Sequence, residues 1–294
     1  MSRMLKKRIG AAILIKDEWV VQSIGFKKYL PVGKPQIAVE YLTKWGIDEI
    51  FLIDISATKN GKSISNEVVK ESSRYCRVPL AVGGGITSVK QMEELLHSGA
   101  DKIALNQVLL ANKNLLQQGA RLFGDQCMVG VIDFVQNKVT DSYEVYDYLR
   151  KATTGKDVLD FAKELEAAGA GEIVLQAVER DGMYSGFEVE LYQKVCSAIQ
   201  IPVVALGGAG KAIHFNELLD NTDVSAACAG NIFHFTEHSV NMLKAQLVRD
   251  GKIVRLETGA SYRLNQFDPK GRLAKAEDDY LEDLLFVRIE KEVI

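Results

Sequence analysis

Two glycine clusters and a handful of carboxylates carry the chemistry legible in this chain. Gly83-Gly84-Gly85-Ile86-Thr87-Ser88 follows the apolar run Pro79–Val82, and Gly207-Gly208-Ala209-Gly210-Lys211 follows Pro202–Leu206. Each stands just before a helical pattern. Glycines at such a junction let backbone N–H groups close on an anion at a helix N-terminus. The plainer reading is that they make tight βα turns. Two asparagine-bearing strand ends, Leu105-Asn106 and Ala229-Gly230-Asn231, lie one unit further on in each half. The recurrence of loop plus asparagine favours two phosphate cradles, one of Gly84, Gly85 and Asn106, the other of Gly207, Gly208, Gly230 and Asn231. The ligand this implies carries a phosphate at each end, or one phosphate and one other anion.

Acids stand beside these loops. Asp133 follows the apolar strand Met128-Val129-Gly130-Val131-Ile132, a usual place for a general acid or base; the alternative role is a helix N-cap or loop anchor. Asp181-Gly182, in Glu179-Arg180-Asp181-Gly182, is a turn signal that can also orient a phosphate or hydroxyl. Asp54 ends Phe51-Leu52-Ile53-Asp54. His234 and His238 have the i, i+4 spacing of a helical pair, but no acid or thiol accompanies them, so no metal is expected. No cofactor is expected either. Cys76, Cys127, Cys196 and Cys228 form no C-x-x-C pair and read as reduced thiols.

The elements that must position these residues alternate between two periods. Eight strand candidates run Arg8–Ile15, Glu49–Ile53, Pro79–Val82, Lys102–Leu105, Cys127–Phe134, Glu172–Ala177, Pro202–Leu206 and Ser225–Ala229. Helical patterns lie between them, among them Val89–Ser98, Asp157–Ala168, Phe187–Ile199 and Ile213–Asp220. Eight βα units predict a TIM (β/α)8 barrel, an α/β fold whose chemistry sits at the C-terminal strand ends. Gly46-Ile47-Asp48-Glu49-Ile50 resembles Gly169-Ala170-Gly171-Glu172-Ile173, an offset of 123 (169 − 46). Val78-Pro79 and Gly84-Gly85 meet Ile201-Pro202 and Gly207-Gly208 at the same offset, so the barrel is read as two half-barrel repeats. With 294 residues, 47% apolar and 26% charged, the chain can bury a core and is not a disordered or coiled-coil protein. A net charge of −3 gives no reason to expect nucleic acid. The apolar run Ile9–Ile15 ends in Lys16-Asp17-Glu18 and reads as a buried strand, and nothing approaches the roughly 20 apolar residues of a membrane span. A cytoplasmic location is expected.

These residues resemble a known family. Lys7-Arg8-Ile9, Asp48-Glu49, Val82-Gly83-Gly84-Gly85-Ile86, Gly169-Ala170-Gly171-Glu172-Ile173, Arg180-Asp181-Gly182, Gly207-Gly208-Ala209-Gly210-Lys211 and Phe233-His234-Phe235 stand in the order found in the cyclase subunit of imidazole glycerol phosphate synthase, a histidine-biosynthesis TIM barrel. The resemblance covers about residues 4–257. It implies a glutaminase partner at the N-terminal barrel face and ammonia crossing the barrel to a bis-phosphorylated ribulosyl aminoimidazole carboxamide. The products it implies are imidazole glycerol phosphate and an aminoimidazole carboxamide ribotide. It places the ammonia gate on Arg8, Glu49, Lys102 and Glu172, which as a bare ring of charges is also a salt-bridged barrel floor. It gives Asp133 the acid/base role, puts Asn106 with Gly85 at one phosphate, and puts Asp181, Gly182, Gly208 and Gly230 around the other.

The departures are as informative. Where the family carries a second catalytic aspartate on strand one, this chain has Leu14. Gln22 replaces a lysine of the first lid loop, Gln107 a threonine, and Gln176 and Leu206 small hydroxyl residues. The conduit is kept while the pocket is rewritten. That pattern resembles a paralogous branch whose members act with a glutaminase-like protein and a sugar amidotransferase in acetamidino modification of surface polysaccharide. Three readings therefore stand: a cyclase-like lyase subunit, a conduit module passing ammonia to a sugar-modifying enzyme, and a phosphate-sugar isomerase on the same scaffold. The barrel is assigned to residues 1–257. Residues 258–294 form a C-terminal extension, with a helical apolar face expected over Ala274–Glu290.

Overall fold

Strands buried on both faces need helices on one side and a filled barrel on the other. The runs Leu80–Gly83, Glu172–Ala177 and Ala226–Ala229 are buried at every position. The computed structural model describes residues 6–256 other than 235 and 237, and beyond these Asp268 and Ala274. Phe235 and, but for Ala274, the expected C-terminal helix lie outside the described residues. In chain order the elements are β1 (Arg8–Lys16), β2 (Trp19–Ile24), β3 (Lys28–Gly33), α1 (Pro35–Lys44), β4 (Glu49–Asp54), α2 (Asn66–Ser73), β5 (Leu80–Gly83), α3 (Val89–His97), β6 (Lys102–Leu105), α4 (Gln107–Ala111) and α5 (Asn114–Phe123). They continue as β7 (Met128–Asn137), β8 (Ser142–Asp147), β9 (Ala152–Asp157), α6 (Val158–Ala167), β10 (Glu172–Ala177), α7 (Val189–Ala198), β11 (Val203–Leu206), α8 (Ala212–Asn221), β12 (Ala226–Ala229) and α9 (Ser239–Arg249).

The eight expected strands close into one parallel ring, β1-β4-β5-β6-β7-β10-β11-β12 and back to β1. Helix starts are marked locally. Ser88 caps α3 in a reciprocal capping box with Gln91, and the Asp157 carboxylate accepts from the Leu159 and Asp160 N–H groups at the head of α6. Four strands were not expected. β1 turns into the antiparallel pair β2–β3, and β7 into β8–β9. Trp19 and Ser142, which open β2 and β8, stand 123 positions apart (142 − 19). The half-barrel repeat thus extends to a hairpin over each first strand.

Two apolar clusters fill the molecule. One lies between the ring and its helices. The other fills the bore, where Phe51, Ala81, Ala104, Val129, Val174, Val204, Ala226 and Cys228 meet. The Lys244 ammonium of α9 is buried against Asp48 at 2.7 Å and donates to the Gly46 carbonyl at 2.6 Å. Asp48 in turn accepts from the Ile9 N–H at 2.7 Å. Compensation of this kind is what a buried charge requires. The last described stretch returns to the start of β1, where the Lys7 N–H donates to the Ile253 carbonyl.

Candidate functional site

The glycine loops lie at the C-terminal strand ends, and two of their residues need to be glycine. Gly85 has φ +62°, and a Cβ there would sit 1.8 Å from the Lys62 carbonyl oxygen. Gly208, its repeat partner (208 − 85 = 123), has φ +95°, and its Cβ would sit 2.0 Å from the Gly186 carbonyl oxygen. Both loops therefore fold against a neighbouring loop in a conformation that L side chains rarely adopt. Near the first, the Thr87 and Ser88 N–H groups are already spent on the Gln91 side chain, at 2.8 and 3.1 Å. Near the second, the Gly210 N–H donates to His214 Nδ1 at 3.2 Å.

Each loop lines a cavity. The larger, about 260 Å³, takes in Gly83, Gly84, Gly85, Asn106 and Asp133. The smaller, about 30 Å³, takes in Asp181, Gly182, Gly207, Gly208, Gly230 and Asn231. Ala12, Leu14, Gln176 and Leu206 line both, so the two cavities meet at one waist. All nine residues expected at the two cradles are brought to this mouth. The Asn231 side chain, however, is used on the β2–β3 hairpin, donating to the Ser23 carbonyl at 2.7 Å and accepting from its N–H at 3.3 Å.

Three acids reach the mouth, and their partners distinguish them. Asp54 accepts from the Ser56 and Ala57 N–H groups and the Ser56 hydroxyl, all through Oδ1, and so anchors its own turn. Asp181 accepts from the Ser23 hydroxyl at 2.5 Å, which ties it to the hairpin. Burial still raises its carboxyl above the usual range. Asp133 is held by no turn. It is 6% exposed, and burial pushes its carboxyl up to about 7, against a hydrogen bond from Asn106 and with the Asp181 charge adding to the rise. A carboxyl that titrates near neutrality in a cavity is suited to proton transfer.

The floor of the ring holds the four expected charges, each at the first residue of its strand. Arg8 pairs with Glu49 and, at 2.5 Å, with Glu172; Lys102 stands 2.7 Å from Glu172 and 3.9 Å from Glu49. Glu49 Oε1 is buried with no hydrogen-bond partner among the described residues. Burial raises the Glu49 carboxyl to about 7, opposed by Arg8.

Other expectations are corrected. His234 and His238 do not share a helix: His234 follows a short 3-10 turn, and His238 precedes α9 in a left-handed conformation. Burial lowers the His234 imidazole to about 4. Among the described residues no cluster of three His, Cys, Asp or Glu could hold a metal ion. No described helix is long and apolar enough to cross a membrane. Phe26 and Tyr29 of the first hairpin, Tyr148 at the tip of the second, and Thr58 and Lys59 also line the larger cavity. Sequence reasoning missed them with the hairpins. The signal was alternation, since Tyr143, Val145 and Asp147 are buried in turn along β8.

The sequence pattern of the family described as "Histidine biosynthesis protein" matches residues 8–239. A Vibrio vulnificus protein provisionally named imidazole glycerol phosphate synthase subunit hisF2 is 38% identical over 273 residues, 92% of this chain and 99% of that protein. Imidazole glycerol phosphate synthase subunits HisF from Clostridium botulinum (strain Langeland) and Geobacillus kaustophilus are each 37% identical over 86% of this chain and 100% of their own length.

Proposed function

This chain belongs to the histidine biosynthesis protein family, and from that premise we propose that it is a cyclase-type subunit that takes ammonia from a glutaminase partner and acts at a two-phosphate site. The glutaminase docks at the N-terminal face, beneath Arg8, Glu49, Lys102 and Glu172. Ammonia passes this ring and rises through the bore. The mouth holds the ligand's two phosphates, one at Gly84, Gly85 and Asn106, the other at Gly182, Gly207, Gly208 and Gly230, with Asp181 and Asn231 fixing the hairpin beside the second. Asp133 exchanges a proton with the group held at the waist. The chain is a paralog serving acetamidino modification of a surface-polysaccharide sugar, in company with a sugar amidotransferase.

One observation carries the paralog reading. Leu14, in the slot where the resemblance expects a second aspartate, lines the waist beside Leu206, so among the described residues that line both cavities there is no second carboxylate to pair with Asp133. Loss of one member of an acid/base pair costs roughly 10²–10⁴-fold in rate. The relative named hisF2 adds support. Its alignment takes in 92% of the chain, about 270 of 294 residues, and so reaches into the segment beyond residue 257. A second reading, genuine histidine-pathway cyclase activity, is favoured by the presence of Asp133 and of the complete charge ring. Growth of a bacterium lacking its own cyclase separates the two. The chain is expected not to support growth without histidine, and Leu14→Asp to restore it. Growth on the unaltered chain would overturn the paralog reading.

A further inference from the structure

Just inside the charge ring, three strands bring together two polar groups that do not satisfy each other. Gly10 of β1 is in register with Cys228 of β12 on one side and with Glu49 of β4 on the other. Its missing side chain leaves the place where theirs converge. A Cβ at Gly10 would lie 2.1 Å from Cys228 Sγ and 3.4 Å from Glu49 Oε1. Both residues are buried, Glu49 at 2% exposure. Glu49 Oε2 is engaged by Arg8 and faces Lys102 at 3.9 Å. Oε1, on the Gly10 side, has no hydrogen-bond partner among the described residues, so the thiol beside it does not serve it. The bore residues grouped with Cys228, among them Phe51, Ala104 and Val204, are apolar.

A buried carboxylate oxygen without a donor loses its hydration uncompensated, and folded proteins nearly always supply such an atom with a partner. Burial pushes the Cys228 thiol well above its usual range, so it stays an S–H and can donate. One donor and one acceptor therefore flank the same point of the bore. A molecule that suits both has a lone pair for the S–H and an N–H or O–H for Oε1. It must also be small enough to pass between packed apolar side chains. We propose that the bore carries a holding site for one ammonia molecule, between the Cys228 thiol and Glu49 Oε1, on the inner side of the charge ring. The inference rests on the reading that ammonia crosses this ring, and it gives that path its first stop. The ammonia nitrogen accepts from the thiol, and one of its N–H groups donates to Oε1. Ammonium lacks the lone pair and is repelled by Arg8 and Lys102, so the site selects the neutral form. Water shares the chemistry of ammonia, and the test separates the two.

Infrared spectroscopy of the full chain reads the S–H stretch of Cys228. Its band is the one that Cys228→Ser removes, or Cys228→Ala should the serine variant not fold. Ammonium chloride is added at a pH where much of it is free ammonia. Trimethylamine hydrochloride at the same pH and ionic strength is the control, a base with no N–H and too bulky for the bore. Ammonia, a stronger acceptor than water, is expected to move the band to lower frequency, and trimethylamine to leave it in place. Exchange of S–H for S–D in heavy water, followed on the same band, reports whether small molecules reach the bore. A band that exchanges but does not move with ammonia would overturn the proposal, since ammonia then does not hold the site, and would leave the conduit reading standing. Equal shifts with both bases would overturn it as well. A band that neither exchanges nor moves would bring down the conduit reading, and the proposal with it.

Discussion

The proposed chemistry turns on Asp133. Three acids follow strand ends in the sequence, and spacing alone ranks them equally. The structure separates them by their partners, because Asp54 is committed to its own turn and Asp181 to the first hairpin, and Asp133 to neither. Its raised pKa has a measurable consequence for stability. The folded state holds the proton up to about pH 7, whereas the unfolded carboxyl releases it near 4. The folded chain therefore binds more protons between these values, and its stability falls as pH rises through 7. Asp133→Asn has no such charge to bury. Its melting temperature is expected to exceed that of the unaltered chain at pH 8, with the difference shrinking toward pH 5. A difference independent of pH would contradict the assignment. In a Leu14→Asp background, the same Asp133→Asn change should remove 10²–10⁴-fold of the turnover gained.

Elements explain what sequence reading found and what it missed. The eight barrel strands were legible because each is a short apolar run at a regular interval. The charge ring came from the family resemblance alone, and the structure sets it on the first residue of four of them. The two hairpins were not legible, because their turns lack the usual glycine pairs. Asp17 and Glu18 both take positive φ between β1 and β2, a conformation in which sequence patterns expect glycine or asparagine. With the hairpins went Tyr29, Tyr148 and the true use of Asn231. The first hairpin is clamped by Asn231 and Asp181, so Asn231→Ala should loosen it without unfolding the barrel. Amide exchange at Ser23 is expected to quicken about tenfold, the equivalent of one hydrogen bond. Unchanged exchange would show that Asp181 alone holds the strand. Helix α9 is held differently, by Lys244 buried on Asp48. Lys244→Met leaves that carboxylate uncompensated and should cost about 3–5 kcal/mol in denaturant unfolding. Lys244→Met with Asp48→Leu should recover much of it.

The whole molecule joins two ends with different histories. Its floor keeps two acids and two bases in mutual contact, and its mouth keeps two glycine cradles related by the same repeat. Between them the bore is lined by small apolar residues with Phe51. The waist is lined by Leu14, Gln176 and Leu206, where the family resemblance expects an aspartate and hydroxyl residues. On the proposed reading, this barrel keeps the ammonia route while its ancestral ring-closing chemistry is lost or altered. The most direct measurement is ammonia-dependent turnover of the bis-phosphorylated ribulosyl aminoimidazole carboxamide by the purified chain at high ammonium concentration, which removes any need for the glutaminase. Imidazole glycerol phosphate is expected to form at a rate roughly 10²–10⁴-fold below that of a cyclase carrying the strand-one aspartate. A rate equal to that cyclase's would contradict it.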